Sequence, residues 1–207
     1  MKKHKNVART ISMLVLVLLV MSQIVVTAKA DSTVFNQYDE YYLSVPYLGK
    51  TVYEQGCGIC SAASILNQLY DTDQYNPEDL ARAYGNRAAK ADGINYDSCA
   101  SVAMSVLELH GVTLRKAESF EDLWVALAEG ACGLGLMSDG FTSTPSGHFI
   151  ALLGLNVDSE GYGRIVVADS NGYNWSLYNE YDCWTQGFYG SWIWQWKGGI
   201  WICELEG

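Results

Sequence analysis

Apolar residues recur with three different periods along the 207-residue chain. Over residues 11–26 they form an almost unbroken run, preceded by Lys2, Lys3, Lys5 and Arg9 and followed by the small-residue triplet Ala28-Lys29-Ala30. That order predicts a signal peptide over residues 1–30 with the cut before Asp31, and no later stretch is long or apolar enough to span a bilayer. Over residues 59–69 apolar positions return at helical spacing, directly after Gly56-Cys57-Gly58. Asn76-Pro77-Glu78 predicts a second helix, a capping residue followed by proline at the first helical position. A third is expected over about 98–110, stopping at Gly111. Ser119 and Asp122 have the spacing of a capping box ahead of a short fourth helix that ends near Gly130. Beyond that point the pattern changes to short apolar runs at 134–137, 148–153, 164–168 and 192–196, bounded by Gly, Asp, Asn and Ser, which predict strands. Residues 31–56 are Tyr-rich and irregular, with an extended piece at Ser44-Val-Pro-Tyr-Leu48. Helices first and strands second predict an α+β fold with an antiparallel sheet packed on the helical half. No repeat, low-complexity tract or Pro/Ser-rich linker divides residues 31–207, so one domain is expected.

Composition narrows the function classes. With 49% hydrophobic residues, 17% charged and only 3 Pro, the chain is neither disordered nor collagen-like. Without residues 1–30, eight basic residues face 23 acidic ones, a net charge of −15. The eight are scattered among acids, so nucleic acid is not an expected partner. Such acidity suits a soluble exported protein with no stable membrane insertion once the signal is removed. A chain of this length buries roughly 70% of its unfolded surface, so its core does not require disulfides.

The cysteines at 57, 60, 99, 132, 183 and 203 therefore need their own explanation. Export favours pairing all six as three disulfides. Cys57 points elsewhere, because it sits between two glycines at a helix start, where backbone N–H groups favour a thiolate and nothing bulky blocks access. A helix end alone lowers a thiol pKa by at most roughly one and a half units, whereas an adjacent imidazolium lowers it by several, so a histidine is required. His110, in the last turn of a helix before Gly111, fits a structural role at the negative end of the dipole. His148 opens the apolar run Gly147-His-Phe-Ile-Ala-Leu-Leu-Gly154 after a flexible Ser/Thr/Gly loop and is either a core histidine or a general base. At the end of the following run, Asp169 or Asn171 is placed to orient an imidazole, although Asp169-Ser-Asn171-Gly is also a good turn sequence.

Val45-Pro-Tyr47, then Thr51-Val-Tyr-Glu-Gln-Gly-Cys57-Gly with Ser61-Ala-Ala-Ser-Ile-Leu, then Gly147-His148-Phe-Ile-Ala-Leu-Leu-Gly154, then Val167-Ala-Asp169-Ser-Asn171 resemble papain-fold cysteine peptidases related to the double-glycine leader (bacteriocin-processing) peptidases, cysteine peptidase family thirty-nine. The resemblance implies a papain-like fold and an enzyme that hydrolyses amide bonds in peptides or proteins, which the N-terminal signal pattern would make secreted; protein chains, exported peptides and cell-wall peptides are all open as substrates. It implies Cys57 as nucleophile, His148 as general base and Asp169 as its orienting partner. Relatives usually carry a glutamine that donates to the oxyanion; Lys50 and Thr51 occupy the corresponding places here, and Gln55 is the nearest substitute, or else a loop residue. Where many relatives have Gly-Cys-Gly-Pro-Thr-Ser, this chain has Gly56-Cys-Gly-Ile-Cys-Ser61. The transporter fused to the leader peptidases has no counterpart in this sequence, so leader processing is not implied.

Two other classes compete. Cys57-Gly-Ile-Cys60 is also the spacing of a thiol-disulfide oxidoreductase, although no convincing strand-helix-strand unit precedes it and no proline has the context of a facing cis-proline. An inactive member of the fold could serve as a binding module, with Trp192, Trp194 and Trp196 on one face of a strand as a platform for sugar or peptide; core packing explains that stripe as well. A metal site is not expected, since the two histidines of the mature chain lie 38 residues apart with no Cys/His cluster, and no cofactor is expected.

Overall fold

Thr51, Asn76, Ser98 and Ser119 each accept a hydrogen bond from the backbone at the start of a helix, satisfying N–H groups that the helix itself leaves open. They open α1 (Val52–Gln55), α3 (Pro77–Tyr84), α4 (Cys99–Leu109) and α5 (Phe120–Ala128), and α2 (Cys57–Leu69) follows α1 across Gly56. The computed structural model describes residues 34–85, 98–137, 147–157, 163–171, 174–179 and 199–206; the expected signal peptide over 1–30, the Trp192–Trp196 run and Cys183 lie outside them. All four expected helices are present. The expected irregular stretch before Cys57 is more ordered than its sequence suggests, with a 3-10 turn (Glu40–Ser44), a ribbon of β1 (Pro46–Tyr47) with β2 (Lys50–Thr51), and α1. At Ser119 one leg of the capping box forms. The Asp122 carboxylate does not return to Ser119; it accepts the Glu118 N–H at 3.0 Å and Arg115 at 2.8 Å.

Six strands, β3 (Val112–Lys116), β4 (Cys132–Met137), β5 (His148–Val157), β6 (Gly163–Asp169), β7 (Asn174–Asn179) and β8 (Gly199–Leu205), make one sheet of the described residues in the order β3-β8-β4-β5-β6-β7. Every pairing is antiparallel, as an α+β fold requires. Two expectations are corrected, and one point left open is filled in. β3 precedes α5, so helices and strands are not cleanly segregated; it is a short edge strand with Thr113, Arg115 and Lys116 exposed, too polar to register as an apolar run. β5 continues past Leu153 because Gly154, at φ 130°, absorbs a register shift against β6. The sheet is also covered on both faces. Val166 and Ala168 of β6 join Ile59, Ile65, Val102 and Val106 beneath α2 and α4, whereas Ile165 and Val167 join Leu123 and Leu127 of α5. Burial on both sides is why these strands read as unbroken apolar runs instead of alternating ones.

Cys57, Cys60, Cys99, Cys132 and Cys203 are free thiols, so the three-disulfide framework is not formed among the described residues. Cys132 and Cys203 lie opposite each other in the β4–β8 register. No helix of the described residues is long and apolar enough to cross a membrane.

Candidate active site

Cys57 is the first residue of α2 and is half-buried, held between two glycines that have steric reasons to be there. A Cβ on Gly56 would lie 2.3 Å from the Val52 carbonyl oxygen, and one on Gly58 would lie 3.0 Å from the Cys99 carbonyl oxygen and 3.4 Å from the Phe149 ring. The first glycine lets α1 turn into α2 directly before the thiol. The second lets α2 press against α4 and β5, which brings Cys57 to the start of the strand that carries His148.

His148 is 3% exposed. Its Nε2 meets Asp169 Oδ1 at 2.5 Å, and the Cys57 thiol lies near enough to the ring to help raise its pKa. With Nε2 taken by the carboxylate, Nδ1 is the nitrogen left for exchange with a thiol. Sheet register explains the first contact: Asp169 lies opposite Ile150, a diagonal neighbour of His148 across β5 and β6. Asp169 is also the turn-former its sequence suggested, since the same Oδ1 accepts the Asn171 N–H at 2.8 Å. Between the two candidate orienting residues, it is therefore Asp169 whose side chain meets the imidazole. Burial works against a charged ring at His148, but the hydrogen bond to Asp169 and the nearby Cys57 thiol, together with their charges, outweigh it and raise the pKa from 6.5 to about 9.

Gln55 sits elsewhere. Its Nε2 donates to the Tyr47 carbonyl at 2.7 Å and to the Leu48 carbonyl at 3.1 Å, tying α1 to the β1–β2 turn, so both amide hydrogens are engaged with backbone. His110 has the structural surroundings expected of it, with Nδ1 donating to the Val106 carbonyl at 2.8 Å and the ring edge-on to Tyr75 and Tyr84. Cys60 is buried in the core and burial holds its thiol neutral. Cys99 donates to the Gln55 carbonyl at 3.3 Å; burial, and then the nearby Cys57 charge, push its pKa up to about 11. The described sheet has no parallel pair, so no crossover of the oxidoreductase kind carries Cys57 and Cys60. Among the described residues no group of three or more His, Cys, Asp and Glu is arranged to hold a metal ion.

Sequence reasoning missed the residues at the rim. The Tyr38 ring packs edge-on to Tyr53 with centroids 5.3 Å apart, and burial, followed by the nearby Cys57, Tyr53 and Asp169 charges, raises its pKa. Gln37 beside it is buried and bonded to Ser170. Only the aromatic richness of residues 31–56 hinted that this segment packs on anything.

A helix begun by a cysteine and packed on an antiparallel sheet defines the papain-like cysteine peptidase fold. More particularly, residues 31–198 match the Peptidase_C39 like family, so the chain belongs to that family and is at this level a cysteine peptidase. No curated protein matches the chain.

Proposed function

We propose that this chain is a secreted peptidase that hydrolyses amide bonds through Cys57, His148 and Asp169. The observation that carries the reading is the buried His148 ring, held by the Asp169 carboxylate at 2.5 Å at the start of the strand against which the Cys57 helix packs. His148 Nδ1 takes the thiol proton, the sulfur attacks the carbonyl carbon, and the resulting imidazolium returns the proton to the leaving amine. Water, deprotonated by the same ring, then cleaves the Cys57 thioester. Asp169 fixes the ring orientation and stabilises its charged form. The Cys57 backbone N–H at the start of α2 is the oxyanion donor; Gln55 is not given that role, because its amide is spent on Tyr47 and Leu48.

The basic, apolar and small-residue order of residues 1–30 supports export, and the net charge of −15 that remains supports a peptide or protein substrate, cell-wall peptides included, over nucleic acid. Turnover of a mixed fluorogenic peptide library by the wild type and by Cys57→Ala tests this reading. The expected loss is on the order of 10^6-fold with an unchanged circular dichroism spectrum. Residual turnover within tenfold of wild type would end it.

A further inference from the structure

Two stretches must stay in register for the proposed chemistry: Tyr53 to Cys57, which delivers the thiol, and Asp169-Ser170, which delivers the carboxylate. They belong to different parts of the fold, one at the α1–α2 junction and the other at the end of β6. A single residue bonds to both. The Gln37 N–H donates to the Ser170 carbonyl at 2.9 Å, and the Ser170 hydroxyl donates to Gln37 Oε1 at 3.1 Å. The other end of the same amide, Nε2, donates to the Tyr53 carbonyl at 3.4 Å. Gln37 is 4% exposed and Ser170 is 4% exposed, so neither group has water as a ready replacement partner. Next in sequence, Tyr38 stacks edge-on against Tyr53 and closes the same junction from the outside.

We propose that Gln37 is a positioning residue for the Cys57-His148-Asp169 set, clamping the Asp169-Ser170 turn to the segment that leads into Cys57. This rests on the peptidase reading above. Gln37 touches none of the reacting atoms. It acts through Ser170 on where the Asp169 carboxylate sits, and through Tyr53 on where α2 begins. A shift of about 1 Å at such a site costs as much as 10^2-fold in rate, so the loss of the clamp is expected in kcat and not in KM.

The test is a titration of the histidine rings by NMR on 13C-labelled protein, with the His148 signal assigned from His148→Ala. Wild type is expected to titrate near about 9, the value set by Asp169 and Cys57. Gln37→Ala keeps the backbone bond to Ser170 but loses both side-chain bonds, and its His148 midpoint is expected to fall by at least one unit toward 6.5. Ser170→Ala removes the one side-chain bond that joins the Asp169-Ser170 turn to Gln37 and should lower the midpoint in the same direction, Ser170→Thr should restore the wild-type midpoint, and the two alanine changes should not add. Should Gln37→Ala not fold, the Ser170 pair decides alone. Unchanged midpoints in folded Gln37→Ala and Ser170→Ala, with Asp169→Asn still lowering the wild-type value, would overturn the clamp and leave the peptidase reading intact. A wild-type midpoint that Asp169→Asn does not move would overturn both.

Discussion

His110 and His148 are the same side chain in two opposite settings. His110 ends α4, turns Nδ1 back onto the Val106 carbonyl and packs edge-on to Tyr75 and Tyr84. His148 opens β5, is almost wholly buried, and has a carboxylate on Nε2 and the Cys57 thiol near enough to help raise its pKa. The first arrangement uses the imidazole as a flat, weakly polar plug. The second ties its protonation to a nucleophile. What separates them is the set of groups around each ring, because a carbonyl acceptor only fixes a tautomer, whereas a thiol and a carboxylate give the proton somewhere to come from and stabilise the cation.

The contrast can be broken most forcefully by substitution at both places. His148→Ala is expected to lower kcat by roughly 10^2- to 10^4-fold, the usual contribution of a general base, whereas His110→Ala should leave turnover within about threefold. Equal losses in the peptide assay would remove the distinction. Asp169→Asn keeps the shape of the carboxylate but removes its charge. It should cost at least about 10^2-fold in kcat and also lower the pH at which activity is lost on the basic side. Wild-type activity is itself expected to fall as pH rises through about 9, where His148 gives up the proton needed by the leaving amine.

The same shift carries a stability sign. The His148 pKa is raised from 6.5 to about 9 in the folded protein, so the stabilisation of the cation is complete below 6.5 and disappears as pH rises through about 9. In thermal melts the advantage of wild type over Asp169→Asn should therefore shrink across that window. The smallest effect belongs to His110→Ala. Losing its hydrogen bond and its two ring contacts should cost about 1–2 kcal/mol in urea unfolding.

Much of this was legible in the chain because it depends on local chemistry. Asn76-Pro77, Ser98 and Ser119 announce their helices through caps that act within three residues, and Cys57 between glycines at a helix start needs no tertiary information to stand out. His148 and Asp169 were visible as the ends of neighbouring apolar runs, which an antiparallel pairing brings to one end of the sheet. Elsewhere the sequence was mute for identifiable reasons. β3 is an edge strand whose polar residues hide its period, and α5 covers a sheet face that the order of elements alone left open. Gln55 stood only as the nearest substitute for an oxyanion donor, since the expected places hold Lys50 and Thr51, and the β1–β2 turn supplies two carbonyls that take its amide. Gln37 meets Ser170 across 133 positions, a pairing no local pattern encodes.

The central claim is that His148 activates Cys57. Its most direct test is the rate of Cys57 alkylation by iodoacetamide as a function of pH, read by peptide mass spectrometry on protein that has never been reduced. The expected result is rapid labelling at about pH 6, well below the ordinary thiol pKa of about 8.5, slowed at least tenfold by His148→Ala and unchanged by His110→Ala. Labelling that appears only after reductant is added, or that proceeds equally fast without His148, would contradict it.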